Sequence, residues 1–176
     1  IIVGILNGII HAHSHNILHR DIKPGNVLLD IVDLEDDETV FDPILCDFGT
    51  AKIFEGDEIK RSEHTMVNFR TKPYRPEFIE SSDEGSKELN HQETWDLFAW
   101  AILTIEIVAN KFVGTVEEAL DILKNEIAPH VDKEIVELLG SATAKDPSDR
   151  PQNGEQFRDR LIDLTELRKK RLRWTG

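Results

Sequence analysis

The stretch from Gln92 to Asn110 limits the fold of this chain more than any other part of it. Trp95, Leu97, Phe98, Trp100, Ile102, Leu103, Ile105 and Val108 put apolar side chains on every side of a helix, and such a helix must be wrapped by other elements. Asp96, Thr104 and Glu106 interrupt the run, so it falls short of a membrane span. It is expected to be a central buried helix. At 176 residues the chain is long enough for one real core, and 39% hydrophobic residues argue against wholesale disorder.

The wrapping elements are legible on either side. Ile1 to His13 carries apolar residues at helical spacing and starts without a cap, as though a helix were entered partway along. Thr115-x-x-Glu118 is a capping box opening a helix through Leu123, and Asp132–Thr143 sets Ile135, Val136, Leu138 and Leu139 on one face. Asn153-x-x-Gln156 opens a final helix through Phe157, Leu161, Leu164 and Leu167. Two short β-type runs, Val27–Leu29 and Ile44–Cys46, flank an acidic, turn-rich segment at 30–43 and suggest a hairpin-like pair. Residues 47–90 hold few periodic runs and are expected to form a long, function-bearing loop. The expected fold class is α+β, mainly α: a helical bundle with one small β-hairpin.

Charge narrows the range of partners. The net charge of −13 argues against nucleic acid and against anionic membrane as partners. Asp30 to Glu63 holds 12 acidic and 3 basic residues, whereas Arg158 to Arg173 holds 7 basic and 3 acidic; both are most simply solvated segments. A single Cys excludes an intramolecular disulfide and any multi-Cys metal site. With no secretory-type N-terminus, an intracellular location, cytoplasmic or nuclear, is expected.

The chemistry lies in His19-Arg20-Asp21-Ile22-Lys23-Pro24-Gly25-Asn26, followed 21 residues after Asn26 by Asp47-Phe48-Gly49. The first resembles the catalytic loop of the protein kinase family and the second its metal-binding turn. Their order, at opposite ends of a β-pair, is the context that the motifs require. Phosphoryl transfer needs an in-line nucleophile and screening of charge on the transferred group rather than covalent help. The resemblance implies that Asp21 takes the proton of a substrate hydroxyl and that Lys23 faces the γ-phosphate. Asn26 and Asp47 would offer oxygen to Mg²⁺, a hard cation that bridges the phosphates of ATP. Leu28 would floor the adenine, and Gly49 would allow a turn where a Cβ interferes. His19 and Phe48 complete the two motifs as structural residues.

Thr71-x-x-Tyr74-Arg75-Pro76-Glu77 is similar to the end of the family's activation segment, with Arg75 where an alanine is usual. Glu77 would pair with Arg150 of Asp146-Pro147-Ser148-Asp149-Arg150-Pro151, and Asp96 would hold the catalytic-loop backbone; Ala101 stands where the family usually has Gly. Lys23 points to the serine/threonine branch, where Thr71 would shape the substrate pocket. Arg20 before the catalytic Asp is typical of kinases activated by phosphorylation, with Ser62 and Thr65 as candidate acceptors.

Several features have plainer readings. In His11-x-His13-x-His15, residues i and i+2 point to different sides of a helix, and His13-Ser14 matches a pattern common ahead of the catalytic loop. Cys46 is expected to be a small buried hydrophobe. Gly4-x-x-x-Gly8 lacks the apolar context of a membrane dimer motif. The basic cluster Lys169–Arg171 suits a solvated helix end.

The resemblance covers nearly the whole chain: residues 1–168 match the C-terminal lobe of the kinase domain and 169–176 a basic tail. The N-terminal lobe has no counterpart: there is no glycine-rich loop, no lysine ahead of the catalytic loop and no partner glutamate. The expectation is a partial serine/threonine protein kinase using ATP and Mg²⁺ on protein substrates, a piece of a longer product, inactive without its missing lobe. The alternatives are a pseudokinase-like scaffold that docks partners and a small-molecule phosphotransferase. Arg20 and the Glu77/Arg150 pair weigh against the latter, because they serve a peptide-binding segment.

Overall fold

A computed structural model of the chain describes residues 1–33, 39–50, 52–53, 73–76 and 93–174. The long apolar helix, α2 (Glu93–Ala109), runs through the middle, and every residue from Thr94 to Glu106 is buried. α1 (Ile2–Ser14) packs against it through Ile5, Leu6, Ile9 and Ile10. Trp100 of α2 stitches both neighbours: its indole Nε1 donates to Ile2 O at 3.0 Å, and its ring meets Phe157 edge-on, centroids 5.4 Å apart. Phe157, Leu161 and Leu164 form the inner face of α5 (Gly154–Trp174), which follows two shorter helices, α3 (Val116–Ile122) and α4 (Lys133–Ala142).

The shorter helices close the bundle. Val116–Ile122 is capped by Thr115, whose Oγ1 accepts from Glu118 N at 3.1 Å. The capping box is only half formed, because the Glu118 carboxylate accepts from Gly114 N instead of Thr115 N. A π-helical turn, Leu123–Ile127, follows. Asn153 caps the last helix through Gln156 N at 2.9 Å, and its backbone stays helical to Trp174, through the expected basic tail.

Among the described residues there are two small sheets rather than one hairpin. β1 (Ile17–Leu18) pairs antiparallel with β4 (Lys52–Ile53), a pairing the sequence reading missed. β2 (Val27–Asp33) and β3 (Thr39–Leu45) form a ribbon in the register Val27↔Leu45, Asp30↔Asp42 and Asp33↔Thr39. Both strands therefore reach well into the acidic segment expected to be turn-rich. Cys46 lies just beyond β3 and is half-buried, not a core hydrophobe.

Gly4 and Gly8 explain how the ribbon sits. A Cβ at Gly4 would lie 2.5 Å from Pro43 Cγ, while one at Gly8 would lie 3.6 Å from Leu45 Cβ. The glycine face of α1 is the seat of β3. No helix among the described residues is long and apolar enough to cross a membrane.

Candidate active site

α1 hands the chain to the site through a left-handed turn at Asn16 (φ 57°), a conformation asparagine tolerates well. β1 then delivers His19 and Arg20 onto Asp96, which α2 holds fully buried. Asp96 Oδ2 accepts from His19 N at 2.9 Å, Oδ1 accepts from Arg20 N at 2.8 Å, and His13 Nε2 lies 2.9 Å from Oδ2. Arg20 itself has φ 68°, costly for a side chain of its size. Two charge-assisted bonds hold the loop around that strained residue.

His19 is buried and links the loop to the second turn. Its Nε2 faces Cys46 O at 3.0 Å, and a carbonyl only accepts, so Nε2 carries the proton. Nδ1 then accepts from Asp21 N at 3.3 Å. The His19 ring also lies against Phe48, centroids 4.6 Å apart.

Asp21, Lys23 and Asn26 converge. Lys23 Nζ donates to Asp21 Oδ2 at 2.7 Å, and Asn26 Nδ2 donates to Asp21 Oδ2 at 3.0 Å and to Asp21 O at 2.7 Å. Both partners of Nδ2 are acceptors, so the amide orientation is determined and Oδ1 is the atom able to meet a cation. The turn Pro24–Asn26 brings this about, closed by Asn26 N donating to Lys23 O at 3.0 Å. Asn26 O in turn accepts from Cys46 N at 2.9 Å, which sets Asp47 one residue beyond. Asp47 has φ 62° and an exposed carboxylate, with Gly49 N donating to its Oδ1 at 3.2 Å. A Cβ at Gly49 would press on that oxygen at 3.0 Å.

Leu28 stands on β2 opposite Ile44, 56% exposed. Arg150 is buried: Nε donates to Ala144 O at 2.8 Å, Nη2 to Lys145 O at 3.1 Å, and the guanidinium lies over the Phe98 ring. Ser62, Thr65, Thr71 and Glu77 lie outside the described residues. Burial lowers the Arg20 pKa, partly opposed by Asp96, and nearby Arg75 lowers it further.

One pair escaped the sequence reading. Tyr74 OH donates to Glu106 Oε2 at 2.5 Å, and Glu106 Oε1 accepts from Val113 N at 2.8 Å. Glu106 registered in the sequence only as an interruption of an apolar helix; its signal was a carboxylate where nothing solvates it. Burial, then the bond to Glu106, pushes the Tyr74 pKa well above its ordinary value.

A sequence profile of the protein kinase domain matches residues 1–170. The chain belongs to the protein kinase family. Similar proteins include three from Arabidopsis thaliana. Cysteine-rich receptor-like protein kinase 41 is 28% identical over 80% of this kinase chain and 21% of its own length. Mitogen-activated protein kinase 7 is 33% identical over 68% and 28%, and serine/threonine-protein kinase STY17 is 27% identical over 87% and 25%. The chain thus spans about a quarter of the length of these curated relatives.

Proposed function

We propose that this chain is the C-terminal lobe of a serine/threonine protein kinase, with Asp21 as the base and Asn26 and Asp47 as the magnesium ligands. The supporting observation is Asn26, which bonds Asp21 through its side chain and Cys46 through its backbone, so one residue ties the two turns together. An amide oxygen and a carboxylate suit Mg²⁺, which binds through few protein oxygens together with substrate phosphates. When bound, Mg²⁺ and ATP supply the transferable phosphoryl group and the screening of its charge.

The chain's own residues do the rest. Asp21, fixed by Asn26 Nδ2, accepts the hydrogen bond and then the proton of a Ser or Thr hydroxyl. Lys23, now on Asp21, turns to the γ-phosphate as nucleotide arrives. Leu28 lies under the adenine, Thr71 beside the acceptor, and Glu77 pairs with Arg150. Arg20, its Nε without an acceptor among the described residues, and Arg75 receive a phosphorylated Ser62 or Thr65. In this proposal the cover over the triphosphate comes from residues outside these 176, so the chain alone is expected to show no turnover. Exposed Leu28, Ile44 and Phe48 fit a face that another lobe covers.

The test is γ-phosphate transfer to a protein acceptor by the longer protein carrying this chain. Incorporation abolished by Asp21→Asn supports the proposal. Equal incorporation with and without the substitution contradicts it and favours a scaffold that docks partners.

A further inference from the structure

His11 and His15 take no part in the site described above. They stand one turn apart at the C-terminal end of α1, both exposed, whereas His13 between them turns inward to Asp96. Their ring centroids are 4.6 Å apart, with planes inclined at 55°. His15 Nδ1 lies 2.9 Å from His11 O and 3.2 Å from Ser14 Oγ. Because the carbonyl only accepts, Nδ1 carries the proton and Nε2 the lone pair. An N–H bond to a backbone carbonyl is also what orients a metal-ligating imidazole and fixes its tautomer.

We propose that His11 and His15 form a two-ligand site for a late divalent transition-metal ion such as Zn²⁺. Two imidazoles at ~2.0–2.1 Å from one tetrahedral ion place their centroids roughly 5 Å apart, so a small rotation of either exposed ring from the observed 4.6 Å brings both onto one ion. Imidazole nitrogen suits Zn²⁺, Cu²⁺ and Ni²⁺ in preference to the hard cations of the nucleotide site. The negative end of the α1 dipole and the net charge of −13 both favour a cation here. Among the described residues no group of three or more His, Cys, Asp or Glu gathers, so the remaining positions belong to water or to a donor from another molecule. Occupancy would clamp the last turn of α1, directly ahead of β1 and the catalytic loop. This inference does not depend on phosphotransfer by the chain.

Calorimetric titration of the 176-residue chain with zinc chloride tests it. One ion per chain is expected, with affinity at least tenfold weaker in His11→Ala and in His15→Ala, and unchanged in His130→Ala. Nitrogen NMR of the unmodified chain gives an independent readout, in which zinc should shift the His15 Nε2 resonance. The proposal is overturned by the absence of saturable binding, by binding of equal strength in the His11→Ala/His15→Ala double variant, or by an unmoved His15 resonance at saturation.

Discussion

Replacing Asp96 separates a structural account of the His19–Asn26 loop from a surface ion-pair account. Asp96 accepts the backbone amides of His19 and Arg20 at 2.9 and 2.8 Å from a fully buried position. Asp96→Ala orphans both, at ~1–3 kcal/mol each, so a loss of roughly 3–5 kcal/mol is expected. That is a large share of the ~5–15 kcal/mol available to a typical domain, so the alanine variant stands near the limit of folding. Asp96→Asn is the better probe: one oxygen still accepts one amide while the new NH₂ opposes the other, at about 1.5–3 kcal/mol. Urea titration measures the total, and amide hydrogen exchange locates it. A loss of ~2 kcal/mol corresponds to roughly 30-fold faster exchange at His19 and Arg20 if they open with the loop. Arg20, held at φ 68° by this carboxylate, should then relax toward ordinary backbone geometry. An Asn variant within ~0.5 kcal/mol of the parent, with both amides still protected, would refute the reasoning and place Asp96 among weak surface pairs.

Two further outcomes follow from the geometry. Gly4→Ala should destabilise the chain, because the new Cβ meets the Pro43 ring at 2.5 Å and overpacking costs ~1–3 kcal/mol against a helix-propensity gain of ~0.8–1.0. Gly8→Ala, with its nearest contact at 3.6 Å, should be neutral or stabilising; equal thermal shifts for both would contradict the ribbon's seat on α1. Tyr74 is the chain's one tyrosine, so tyrosinate absorbance reports it alone. It should titrate well above 10.0 when folded. With the folded pKa raised, the unfolded chain loses the proton first, so this contribution to stability is complete below about pH 10 and declines as pH rises further. Glu106→Gln should bring the titration down, and an unshifted titration in the parent would dismiss the Tyr74–Glu106 bond.

The parts of the fold visible in the sequence are those whose burial leaves a periodic trace. α2 is surrounded by core and apolar on all sides, and α1 repeats Ile5, Leu6, Ile9 and Ile10. The β2–β3 ribbon left a trace only at its inner end, where Val27, Pro43 and Leu45 are half-buried; farther out Ile31, Val40 and Phe41 are exposed like Asp30 and Asp42, so no period marks the strands there. Asp30 opposite Asp42 places like charges across the ribbon, a pairing that composition assigns to a loop. The two residues of β1 and of β4 are too short for any period. At the candidate site, residue identity at fixed spacing singled out Asp21 and Asn26, which the structure brings into contact, and Asp47, which follows the backbone bond from Cys46 to Asn26. The His11–His15 pairing and the Tyr74–Glu106 bond depend on rotamers and on tertiary approach, which spacing alone does not reveal.

The proposed convergence of the two turns on one metal–nucleotide site is tested most directly by paramagnetic broadening with Mn²⁺–ATP replacing Mg²⁺–ATP, which registers even weak occupancy. Amide signals of Asp21, Asn26 and Asp47 should broaden together while that of Phe157, in the far bundle, stays sharp. Broadening that spares either turn, or that survives Asn26→Ala combined with Asp47→Ala, would contradict the account.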